Sequence, residues 1–361
     1  MPSTTTCQFG VLLLSTRKYD PRHVMKSLWS RINSIVARIG FRFAPEAVSL
    51  RLRYAQALTA QGCFAEARLV LREAVELEPD NSAAHFALGS VQTSLGCLND
   101  ARISFARARR LEPSNPEIAF ALGNIYFECA EIDLAIRSYE GAILLRPDYA
   151  RAYFNLGHAF KEKGLLVEAS KAFRRALAVE PRFYKARFML AYAYALMDLN
   201  DEAIEQYRLT IHACPTYVKA YYNLGNCYLK KSRVADALES YFTILELDPS
   251  HARAHFAIGQ ALARQGRLAE ALVSFQEALS VRSEFPECHL AYGRALEAVG
   301  RVREAIGHYL EYVNDPAALE QRQEVEAHID YLNRTLGRRE ITSEMRAYRE
   351  GSTSERPAFE G

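Results

Sequence analysis

The chain has 361 residues, 49% of them hydrophobic, and a formal net charge of +2. So small a charge gives no general affinity for nucleic acid, which comes from many phosphate contacts. The cysteines (Cys7, Cys63, Cys97, Cys129, Cys214, Cys227 and Cys288) include no C-x-x-C pair and are odd in number, so neither a zinc site nor a disulfide framework is indicated. They read as free packing thiols of a reducing compartment, with no metal or cofactor implied.

Residues 1–47 differ in pattern from the rest of the chain. Met1 to Gly10 has no basic stretch before the short apolar run Val11–Leu14, and no small-residue cleavage site comes after it, so no secretory signal is expected. Nowhere does the chain approach the ~20 apolar residues that span a bilayer. The expected location is therefore cytoplasmic. Between Pro21 and Phe43, Val24, Met25, Leu28, Ile32, Ile35, Val36 and Ile39 recur at spacings of three and four, which predicts an amphipathic helix. Arg17, Lys18, Arg22, Lys26, Arg31, Arg38 and Arg42 make this region basic. Three readings stand. The helix caps the structure that begins at Val48, or residues 17–43 lie on a membrane surface with Trp29 at headgroup depth and the cations facing anionic lipid, or the helix docks on a partner.

From Val48 to Asp315 the sequence repeats itself every 34 residues, in eight units starting near 48, 82, 116, 150, 184, 218, 252 and 286. A period of that length marks a solenoid of stacked supersecondary units. Each unit predicts two helices. The first carries small-and-large pairs such as Leu88-Gly89, Leu156-Gly157 and Tyr292-Gly293. It ends at Gly62, Gly96, Gly164, Gly266 or Gly300, as a helix does where only glycine enters the left-handed region cheaply. Ala130, Asp198 and Ser232 replace that glycine in three units. The second helix has alanine at one fixed place in every unit, from Ala67 to Ala305, where the two helices cross closely. Pro79, Pro113, Pro147, Pro181, Pro215 and Pro249 close most units, because proline cannot continue a helix.

Beyond the repeats, residues 316–337 predict one more helix, with Val325, Ile329, Leu332 and Leu336 on one stripe and Gly337 at its end. A solenoid needs such a polar-faced terminal cap. The remaining residues, 338–361, are charged and predict a disordered tail.

The order of small, large and proline positions over residues 48–315 resembles the tetratricopeptide repeat family. The resemblance implies an all-α, right-handed superhelical solenoid of helix-turn-helix repeats whose first helices line a concave groove, and a non-enzymatic protein-binding scaffold. Locally the chain departs from the family pattern. The aromatic fourth position, kept as Tyr153 and Tyr221, becomes His85, His255 and His289, and also Arg51 and Arg187, while Ser283 stands where proline is expected.

On the groove side of the first helices, the second position reads Arg151, Lys185, Lys219 and Arg253 in four successive units. Clustered Arg and Lys donors suit the carboxylates of an acidic peptide segment; the same charges also serve merely as a solvated face. The fifth position is aromatic in six consecutive units, Phe86, Phe120, Phe154, Phe188, Tyr222 and Phe256, either as pockets for an extended ligand or as packing between units. Asn155 and Asn223 at the sixth position, with Asn124 and Asn226 at the ninth, supply amides for a peptide backbone. The carboxylate clamp of chaperone-binding relatives is matched by Asn124, Asn155 and Lys185, but Phe120 and Met189 stand where it needs cations. No catalytic motif occurs. Attachment to a membrane, service as a regulatory subunit of a separate enzyme such as a glycosyltransferase, and self-association all remain open from the sequence.

Overall fold

The computed structural model describes residues 47–316 and 321–351. The amphipathic stretch within residues 17–43, read above as a cap, a membrane helix or a docking helix, lies outside them. The chain divides into two compact units, one ending at Val179 and the other starting at Glu180.

The first unit holds four helical hairpins. Their helices are α1 (Val48–Ala60), α2 (Phe64–Leu77), α3 (Ser82–Ser94), α4 (Leu98–Leu111), α5 (Pro116–Glu128), α6 (Ile132–Leu145), α7 (Ala150–Glu162) and α8 (Leu166–Val179). The second unit repeats the pattern with α9 (Tyr184–Leu196), α10 (Asn200–Ala213), α11 (Val218–Lys230), α12 (Val234–Leu247), α13 (Ala252–Arg264), α14 (Leu268–Val281), α15 (Pro286–Ala298) and α16 (Val302–Asn314). It ends with α17 (Arg322–Gly351). Among the described residues there is no strand.

Every first helix stops in the same way. The residue after its last turn has positive φ: Gly62, Gly96, Gly164, Gly266 and Gly300 at 74–82°, and Ala130, Asp198 and Ser232 at 58–61°. The following amide then reaches back to the helix, as in Cys63 N–H to Leu58 O at 2.9 Å and Glu131 N–H to Tyr126 O at 2.8 Å. A second bond, Gly62 N–H to Thr59 O at 3.0 Å or Ala130 N–H to Phe127 O at 3.0 Å, completes a Schellman stop. These bonds satisfy carbonyls that the helix end would leave without partners.

Within a hairpin the helices approach until no side chain fits between them. Ala67, Ala101, Ala135, Ala169, Ala203, Ala237, Ala271 and Ala305 are all fully buried. A methyl group added at Gly157 would lie 2.5 Å from the Phe173 ring, and one at Gly123 would lie 2.5 Å from that of Tyr139. The glycine of each first helix is thus the seat of the large ring on the second. Ala55 and Ala191 occupy that seat in two units, opposite the buried Leu71 and Tyr207.

In the second unit a continuous apolar cluster runs from Phe188 to Leu332. Helix α17 closes it with Val325, Ile329 and Leu332, each 6–7% exposed. The sequence ended this helix at Gly337, with a disordered tail beyond it; the structure carries it through to Gly351. Gly337 does not take a positive φ, so it is a mid-helix residue and not a stop.

Candidate functional site

The first helices place their second, fifth, sixth and ninth positions on one face, as the 3.6-residue period requires. In the first unit α5 and α7 bring five sequence-selected residues to one cavity of about 660 Å³: Phe120, Asn124, Arg151, Phe154 and Asn155. The Arg151 side chain is exposed and its guanidinium carbon lies 5.6 Å from the centre of the Phe120 ring. That geometry holds the cation over an aromatic face without neutralising it.

The two amides beside it form a fixed pair. Asn155 Nδ2 donates to Asn124 Oδ1 at 2.8 Å, and the Tyr139 hydroxyl donates to the same oxygen at 3.0 Å. Tyr139 is the buried ring seated on Gly123. Burial also pushes its pKa above the usual tyrosine range, so the hydroxyl stays a donor. The core ring thus orients the groove amide. With Asn124 Oδ1 already accepting two bonds, its own Nδ2 hydrogens and the Asn155 Oδ1 are left for other partners.

His158 lines the same cavity, at the position that holds asparagine in Asn124 and Asn226. It meets Phe154 edge-on at 4.6 Å and Phe173 at 5.7 Å. Burial, reinforced by Lys161, lowers its pKa to about 4, so the imidazole is neutral near neutral pH. Glu128, on the thirteenth position of its helix, adds one carboxylate. Neither His158 nor Glu128 was singled out in the sequence, although both fall on the groove face by position.

In the second unit a cavity of about 430 Å³ collects Tyr222, Arg253 and Phe256, together with Arg282, Glu284, Glu287 and Asp315. Arg282 was not anticipated. It belongs to the loop where Ser283 replaces proline, and its guanidinium lies 5.1 Å over the Phe285 ring. Lys185 and Lys219 are exposed on α9 and α11. Asn226 Oδ1 accepts from the Tyr241 hydroxyl at 2.7 Å, repeating the orientation of Asn124 by Tyr139. Asn223 is half-buried on the same helix.

The aromatic ladder is not uniform. Phe188 is only 8% exposed, packed against Tyr207 at 5.7 Å and Tyr217 at 5.1 Å. It serves packing between repeats, as does most of Phe120 against Tyr149 at 5.0 Å. Phe154, Tyr222 and Phe256 keep more surface. Among the cysteines, burial raises Cys227 to about 11 and Cys288 to about 12, so both remain thiols.

The chain belongs to the tetratricopeptide repeat family. Its family models match residues 52–116, 167–218 and 222–282 as tetratricopeptide repeats, residues 150–183 as a further one, and residues 123–164 as a TPR repeat. Helices α15 and α16 extend the pattern beyond the last match. The Cut9–Hcn1 hetero-tetramer of APC/C contains a similar fold: TM-score 0.51 at 17% identity, covering 73% of this chain and 52% of that one. The crystal structure of MamA is similar over 45% of this chain and 95% of its own, at 25% identity and a TM-score of 0.44. That of YrrB, described as a TPR protein with an unusual peptide-binding site, covers 54% and 97%, at 21% identity and 0.46. No curated protein matches the sequence. Among the described residues no helix is long and apolar enough to cross a membrane. The protein is a helical repeat scaffold for protein–protein interaction.

Proposed function

We propose that the groove face of the first helices binds an extended, acidic segment of another protein. The observation that carries this reading is the cavity in which Arg151 stands beside the Asn124–Asn155 pair. An exposed guanidinium suits a carboxylate, and an amide held by its neighbour suits a peptide backbone. Phe154 supplies apolar surface for an intervening side chain. In the second unit Lys185, Lys219 and Arg253 continue the choice of cations, Asn223 and Asn226 supply amides, and Tyr222 and Phe256 supply apolar surface. In this reading the chain is no enzyme; it presents surfaces for others to occupy.

Affinity purification with the wild-type chain beside an Arg151→Glu/Lys185→Glu/Lys219→Glu/Arg253→Glu variant tests the proposal, with circular dichroism confirming that both fold. The expected result is a partner retained by the wild type and lost from the variant. Identical partners on both chains would remove function from this face.

A further inference from the structure

The cavity of the first unit carries two opposite charges, and an acidic ligand answers only one of them. Of the residues lining it, Arg151 and Glu128 are the charged ones, and both are exposed. His158 is neutral near neutral pH, because burial and Lys161 hold its pKa at about 4. The charges nearby are already matched, Arg146 with Glu117 at 2.9 Å and Lys161 with Glu162 at 2.6 Å. Arg151 and Glu128 have no ion-pair partner among the described residues. The cavity is therefore neutral as a whole, with a positive end and a negative end. A segment whose charges are all acidic would set a carboxylate against Glu128.

The helices fix how far apart the two ends are. Arg151 of α7 lies over Phe120 of α5, and one turn further along each helix Asn155 meets Asn124. The two helices thus run the same way and stay level at both points. Glu128 stands one more turn along α5, two turns from the Arg151 end, which is roughly 12 Å. Its carboxylate adds to burial in raising the Tyr139 pKa, so it lies within the field of the hydroxyl that orients Asn124. An extended chain advances about 3.3 Å per residue and turns successive side chains to opposite sides. Four residues of advance cover about 13 Å and return the side chain to the same side. Between the two ends, the free groups of the Asn124–Asn155 pair face the backbone that passes over them.

We infer that this cavity selects a segment charged in both senses, with an acidic side chain on Arg151 and a basic one on Glu128, about four residues apart. The inference rests on the reading that this face binds an extended segment, and it narrows the chemistry of that segment at α5 and α7. A lysine suits the Glu128 end, because its stem can lie along Phe127 and Leu98, which line the same cavity, with its ammonium at the carboxylate.

Selection from a random peptide library displayed on phage tests this, with the full chain immobilised as wild type, Glu128→Lys and Arg151→Glu. Circular dichroism confirms that each variant folds. The wild type is expected to enrich peptides that carry an acidic and a basic residue at that spacing. Glu128→Lys should replace the basic residue with an acidic one, and Arg151→Glu should replace the acidic residue with a basic one. A peptide selected on the wild type should bind Glu128→Lys about tenfold more weakly, and changing its basic residue to glutamate should restore the affinity. Wild-type peptides with acidic residues alone, or a basic residue that Glu128→Lys still selects, would overturn this inference and leave the acidic-segment reading standing. Enrichment indifferent to both substitutions would remove binding from this cavity and overturn it as well. A wild type that enriches no peptide would overturn both readings.

Discussion

Tyr207 shows how much a single hydroxyl depends on its repeat. The buried tyrosines Tyr139 and Tyr241 each donate to an asparagine at the ninth position of the preceding helix. In the repeat of Tyr207 that position is Tyr192, and the Tyr207 hydroxyl is buried with no hydrogen-bond partner among the described residues. An unsatisfied buried hydroxyl costs about 1–3 kcal/mol. Tyr207→Phe should therefore raise stability to chemical denaturation by about 1 kcal/mol, whereas Tyr139→Phe should lower it. His158 gives the complementary case for a titrating group. Its folded pKa, about 4, lies below the ordinary value of 6.5, so between these pH values the unfolded chain binds more protons than the folded one. Stability is complete above pH 6.5 and falls as pH drops toward 4, by up to roughly 3 kcal/mol. NMR titration of the His158 ring should show a midpoint near 4, and His158→Gln should flatten the loss. The sequence revealed the groove asparagines through their repeat positions. It did not reveal that a core tyrosine orients them, because no spacing rule specifies a hydroxyl–amide contact between two helices.

At the scale of the element, the turn between helices was the most legible feature. Five glycines announced the left-handed stop, and the structure puts Ala130, Asp198 and Ser232 in the same conformation without them. Alanine there carries a steric penalty of about 1–2 kcal/mol that glycine avoids, while glycine forfeits some backbone entropy. Ala130→Gly should consequently stabilise the hairpin of α5 and α6 by about 0.5–1 kcal/mol, measurable as a shift in denaturation midpoint. Gly337 shows the opposite outcome. It comes after a helical stripe as a stop would, yet its backbone stays helical and α17 runs on to Gly351. A glycine acts as a stop only where the chain beyond it turns back, and that requirement belongs to tertiary structure.

At the scale of the molecule, a repeat array presents the same few positions many times, and its function depends on which positions vary. The period identified the family and the alternation of first and second helices; it did not identify the ligand. The position-two cations Arg151, Lys185, Lys219 and Arg253 are all exposed, so under the proposed reading their contribution to binding is screened by salt. Affinity for an acidic peptide should fall as ionic strength rises and become nearly independent of it in the fourfold Glu variant; isothermal titration at two salt concentrations reads this directly. Phe188, by contrast, which the sequence left open between ligand surface and packing, is packed against its neighbours. Only the identity of its neighbours, Tyr207 and Tyr217, distinguishes the two.

The Schellman stop has a mechanical side. Each first helix is terminated by bonds from within its own hairpin, as from Cys63 to Leu58 and from Arg301 to Leu296, so its end needs no backbone partner from a neighbouring repeat. Energy in such an array is stored as a sum over repeats and the joints between them. A chain pulled from its two ends would then lengthen by a series of small, similar steps and shorten again along the same path, behaving as a spring with many coils and no single breaking point.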